Sequence, residues 1–118
     1  MHPWHANRHR RIVASLVRRY QLGQRDEDEM NASHDRGCAE YGQWNHHKPG
    51  FDHPAEMAAE LVDALGIAAF EQEQIASGEL PTTEDEREAF SDLLDGTAAA
   101  LAAARRMQAA RDRAARGD

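Results

Sequence analysis

The chain has 118 residues, a net charge of −7, one cysteine and a mean hydropathy of −0.80. No apolar run is long enough to span a bilayer, and residues 1–20 carry His and Arg where a secretory leader needs an apolar core, so a cytoplasmic protein with no membrane association is expected. Cys38 stands alone, which excludes an internal disulfide.

Residues 1–6 read as a flexible leader. His2, His5 and His9 have spacings that share a helix face, but nothing nearby holds them rigid, and no ligand role is expected of them. Asn7 suits the cap of a first helix over about 8–22, with Gly23 as its stop. Ile12, Val13, Leu16, Val17 and Tyr20 form its apolar stripe, flanked by Arg8, Arg10, Arg11, Arg18 and Arg19. A basic amphipathic helix can lie on nucleic-acid phosphates. The acidic total and the lack of interleaved aromatics favour a solvated, salt-bridged face instead, so nucleic-acid binding is only a third reading.

A second helix is expected over about 25–41. Asp26 to Glu29 place acids in its first turn, where they favour the helix dipole. Met30, His34, Cys38 and Tyr41 recur at three- and four-residue spacing and should face inward, with Glu27 on the same stripe. Glu27 and His34 are then polar groups that look into the protein and need partners. Gly42 to Asp52 reads as a loop pinned by Trp44 and Phe51. His34, Cys38, His46, His47 and His53 offer zinc-type ligands, but the paired cysteines of a zinc knuckle are absent, so a packed or exposed His loop is expected.

The third helix, about 54–77, has the clearest periodicity. Asp52 can accept from free amides at its start, Pro54 suits the first turn, and Gly78 is a natural stop. Met57, Ala58, Leu61, Val62, Leu65, Ala68 and Ala69 form one wide stripe, with Glu56, Glu60 and Asp63 on another face that Ile67 and Phe70 continue. The second half should therefore be covered on most sides. Gly66 marks either a close helix crossing or a break. Thr83 and Glu86 have capping-box spacing for a fourth helix over about 84–116. Its stripe is Phe90, Leu93, Leu94, Ala98 and Leu101, interrupted by Gly96, and it runs into an Ala/Arg-rich tail over 105–118 that packs along a partner helix or frays.

These elements make residues 1–118 one all-α domain resembling a four-helix bundle. Of the apolar residues 22 are Ala, so the core is thin, and a homodimer or higher oligomer is expected to supply the missing burial. Charge is segmented. Residues 1–25 hold six Arg and no acid, residues 26–95 hold nineteen acids and three bases, and residues 96–118 hold five Arg and two Asp. An acidic middle of this kind suits a basic protein partner, as in a small inhibitor or adaptor.

The one pattern with a chemistry is the carboxylate set. Two helices that turn acids toward each other can hold Mg²⁺, which keeps waters and is completed by substrate phosphates. Glu56, Glu60 and Asp63 supply one wall, and Glu27, joined by His34 as a further candidate, the other. The run Glu60-Leu61-Val62-Asp63-Ala64-Leu65 resembles the second carboxylate motif of MazG-like all-α nucleotide pyrophosphohydrolases, and Asp35-Arg36-Gly37-Cys38-Ala39-Glu40-Tyr41-Gly42 is similar to small phage-encoded members. The resemblance covers roughly residues 26–75. It implies Mg²⁺-dependent splitting of a nucleoside triphosphate into monophosphate and pyrophosphate, with Glu60 and Asp63 in the catalytic role. The family's first motif, a Glu-Glu pair with a third Glu one turn on, is met only in part, by Glu27, Glu29 and Glu40.

Overall fold

The computed structural model describes residues 3–41 and 50–117, with side chains over 7–39 and 50–117. Trp44, His46 and His47 of the expected loop, the side chains of Glu40 and Tyr41, and those of His2 and His5 lie outside these limits. Four α-helices run α1 (Pro3–Arg19), α2 (Gln24–Tyr41), α3 (His53–Ser77) and α4 (Glu84–Arg116). No strand occurs among the described residues, so the all-α expectation holds. Two compact units divide the chain, Met1–Phe51 with α1 packed on α2, and Asp52–Asp118 with α3 packed on α4.

In the first unit both ends of α1 differ from expectation. The helix already begins at Pro3, a residue that suits a first turn because its missing donor costs nothing there. Asn7 is therefore inside the helix rather than its cap, and residues 3–6 belong to its first turns. The stop is Gln21, not Gly23. Gln21 takes the left-handed conformation (φ 55°), and the Leu22 amide donates to the Val17 carbonyl at 2.9 Å. Gly23 instead opens α2. Its carbonyl accepts from the amides of Asp26 and Glu27, and its own amide donates to the Asp26 carboxylate at 3.0 Å, half of a capping box.

Packing between α1 and α2 centres on Val13, His34 and Cys38, all buried. The inward stripe of α2 is as expected, with Glu27 and Met30 half-buried above His34, Gly37 and Cys38. On α1, Val17 is half-buried, whereas Ile12, Leu16 and Tyr20 stay exposed. One neighbour covers only about half of a wide stripe. An ion pair from Arg10 to Asp35 (2.8 Å) joins the helices, and with both side chains about half exposed it contributes no more than about 1 kcal/mol.

The second unit is a helical hairpin whose caps match the sequence signals. The Asp52 carboxylate accepts from the Ala55 amide at 2.9 Å, Pro54 sits in the first turn, and Gly78 closes α3 at φ 78°. The Thr83 hydroxyl accepts from the Glu86 amide at 3.1 Å, and Gly117 closes α4. Arg87 reaches back to the Thr82 carbonyl at 2.8 Å and steadies the connection.

The packed seam on α3 is Pro54, Ala58, Leu61, Leu65, Ala68 and Ile75, and on α4 it is Phe90, Leu94, Thr97, Leu101, Ala104 and Gln108, all buried or half-buried. Both sets step by alternating threes and fours, or their sum, which is the spacing of an antiparallel coiled coil. Met57, Val62, Ala69, Leu93 and Ala98, expected on these stripes, are exposed. Neither Gly66 nor Gly96 breaks its helix. A methyl group at either position would have nothing within 4 Å, so no close crossing within the described residues requires them.

Candidate functional site

The carboxylates stand on the outer side of α3. At about 100° per residue, Glu56, Glu60, Asp63, Ile67, Phe70 and Gln74 fall within an arc of about 80°, roughly 150° round the helix from the seam that packs on α4. Each of them is exposed. Ile67 and Phe70 are the extreme cases, at 70% and 71%, so the expectation that the second half of this helix is covered on most sides is not met within the unit. The stripe is acidic along its first half and apolar along its second.

Glu56, Glu60 and Asp63 thus share a face, as their spacing predicts, but α4 packs on the opposite face and brings no group to them. No set of three or more His, Cys, Asp or Glu side chains able to hold a metal ion forms among the described residues. Mg²⁺ commonly takes one or two carboxylates and keeps its waters. Glu60 with either neighbour offers that much, one turn apart and open to solvent. Glu27 lies on α2 of the first unit, half-buried.

The first unit holds the other polar cluster. The His34 ring stacks on His9, with centroids 3.9 Å apart and planes 16° from parallel, and its Nε2 lies 3.8 Å from Cys38 Sγ. Asp35 Oδ1 is 3.7 Å from His34 Nδ1. His34 therefore has the inward position that its spacing indicated. His9, assigned to a terminal histidine group without a role, is the partner that sequence reasoning missed. The signal was present: His9 and Val13 lie one turn apart, on the same face of α1.

A shallow groove of about 410 Å³ runs along the α3–α4 hairpin, lined by Ala64, Ile67, Ala68, Glu71, Phe90 and Leu93. It is distinct from the carboxylates, sharing only Ile67 with their stripe. On α1, the arginines Arg8, Arg10, Arg11, Arg18 and Arg19 are exposed.

No protein-family model matches the chain, and no curated protein or solved structure matches it either. The likeness to MazG-like pyrophosphohydrolases rests on the quoted residues alone.

Proposed function

We propose that the chain is a helical interaction protein whose α3 outer stripe receives a basic amphipathic helix from a protein partner. The observation that carries this reading is the exposure of Ile67 and Phe70 in line with Glu56, Glu60 and Asp63. Two large apolar side chains left in water on one helical line form an unpartnered patch. Helix docking uses anchors at three- and four-residue spacing, which this line provides. The neighbouring carboxylates set the partner's charge, because they favour Arg or Lys and repel acids, and they raise the association rate at low salt.

The test is binding to two designed helical peptides that share Leu anchors and differ only in carrying Arg or Glu. The Arg peptide is expected to bind, more weakly as salt rises. Phe70→Ser should weaken it by at least tenfold, roughly 1.4 kcal/mol. Equal binding of both peptides, or full binding by Phe70→Ser, overturns the reading.

A second reading is favoured by one specific observation, the alignment of Glu56, Glu60 and Asp63 on a single open face. On that reading the chain is a Mg²⁺-dependent nucleoside triphosphate pyrophosphohydrolase of the MazG-like kind, with Glu60 and Asp63 holding the ion and the substrate phosphates completing its shell. Bound there, the ion would polarise a phosphoryl oxygen and lower the pKa of water. Glu56, on the same face of α3, would supply a further carboxylate. Pyrophosphate release from a panel of nucleoside triphosphates, dependent on Mg²⁺ and lost in Asp63→Ala, is its expected outcome. A folded protein that releases none removes it.

A further inference from the structure

We infer that α4 carries a second, independent interface, on which a second copy of this chain docks antiparallel with Ala100 at the two-fold axis. This rests on the outer line of α4 and shares only Ile67 with the α3 stripe; peptide binding at Phe70 reads the stripe and the mass of the particle reads this face, so either can fail alone.

The seam toward α3 uses one heptad line of α4. Beside it runs another: Ala89, Leu93, Gly96, Ala100, Ala103 and Met107, again stepping by threes and fours. At about 100° per residue this line lies some 100° round the helix from the seam, on the side of the groove that Leu93 borders. All its residues except Ala103 are exposed, and its two large apolar members, Leu93 at 61% and Met107 at 43%, have water where a core would have neighbours.

The order of residues along this line fixes the occupant. Leu93 and Met107 are each seven residues from Ala100. Antiparallel pairing about Ala100 therefore sets Leu93 of one copy against Met107 of the other, twice. The small residues between them let two helices approach closely. Met107 from the second copy would enter the groove lined by Ala64, Ile67, Phe90 and Leu93.

Charge inverts about the same centre. Residues 84–95 hold six acids and one Arg, and residues 105–116 hold five Arg and one Asp. The antiparallel pair lays each acidic third over an Arg-rich third, whereas a parallel pair stacks like charges along both thirds.

Size agrees as well. A helix of 33 residues is about 50 Å long, and a face about 12 Å wide along it is roughly 600 Å². The α3 side chains beside the groove bring this near the ~800 Å² per partner of a standard interface. The result is a four-helix bundle made of two hairpins, which gives the Ala/Arg tail something to pack against.

Sedimentation and light scattering of the full chain at tens of micromolar test the assembly. A dimer, twice the 13.2 kDa chain, is expected. Ala100→Arg puts two cations face to face at the axis while keeping a good helix former at an exposed site. It should yield a monomer with unchanged circular dichroism. Orientation is read by oxidising a mixture of Leu93→Cys and Met107→Cys chains, each made in a Cys38→Ser background. Cross-linked heterodimers are expected. A wild-type monomer, which would assign this face to a different protein, overturns the inference. So does an Ala100→Arg dimer, and so does disulfide linkage of Leu93→Cys to itself.

Discussion

The two hairpins solve the same problem with different chemistry. The α1–α2 unit closes on a few specific side chains: Val13, the stacked His9–His34 pair and Cys38. The α3–α4 unit closes on a long repeating seam whose fully buried members are Pro54, Ala58 and Ala104. Their ends differ too. Both helices of the second unit start on an oxygen-bearing cap and stop on a left-handed glycine, whereas α1 stops on left-handed Gln21. A unit held by a small cluster should fail at one point, and a unit held by a repeated seam should lose stability in small steps.

The largest effect is expected at Val13. Val13→Asp puts a carboxylate in place of an apolar side chain at the buried centre of the unit, which costs about 3 kcal/mol, a large share of what a small unit has. Hydrogen exchange should show residues 7–39 losing protection while 53–116 keep theirs. Simultaneous loss in both stretches would break the comparison, because the hairpins would then fold as one. In the second unit Ala58→Gly, equally buried, should cost only about 1 kcal/mol, mostly through helix propensity.

Next come the helix ends, where the two units should respond with opposite sign. Asp52→Ala removes the acceptor of the Ala55 amide and should lower stability by about 1 kcal/mol. Gln21→Gly should raise it by a similar amount, because glycine takes φ 55° without the penalty a side chain meets there. Thermal melts of both variants sharpen the comparison. If Gln21→Gly destabilises, the stop of α1 owes more to the Leu22–Val17 hydrogen bond and its packing than to backbone strain.

These ends also show what the sequence can disclose. Asp52, Pro54, Gly78 and Thr83 act through bonds to their own neighbours, so the helix limits around them were legible without the fold. Gln21 carries no such signal, and Asn7 and Gly23 looked like better punctuation than they are. Periodicity also grouped Glu56, Glu60 and Asp63 on one face. It could not say what stands opposite, since that depends on which helix packs where. Along α4 the alanines hide the boundary between two heptad lines. Spacing groups Leu93 with Phe90 and Leu94, although it stands exposed like Met107.

The smallest effect expected is at the two interior glycines, and it separates the hairpin from its assembly. A methyl group at Gly66 or Gly96 meets nothing within 4 Å, so Gly→Ala should stabilise either helix by about 0.5–1 kcal/mol through reduced backbone freedom. Gly66 lies off the Leu93–Met107 line, and its gain should not depend on protein concentration. Gly96 lies on that line, one turn from the Ala100 axis. Its gain should appear in the Ala100→Arg monomer and shrink in the wild-type dimer, where the added methyl meets the second copy. Melting temperatures of both glycine variants, in both backgrounds, give the four values needed. An equal gain at Gly96 in the two backgrounds would mean that no second helix passes there, whatever the mass of the particle in solution.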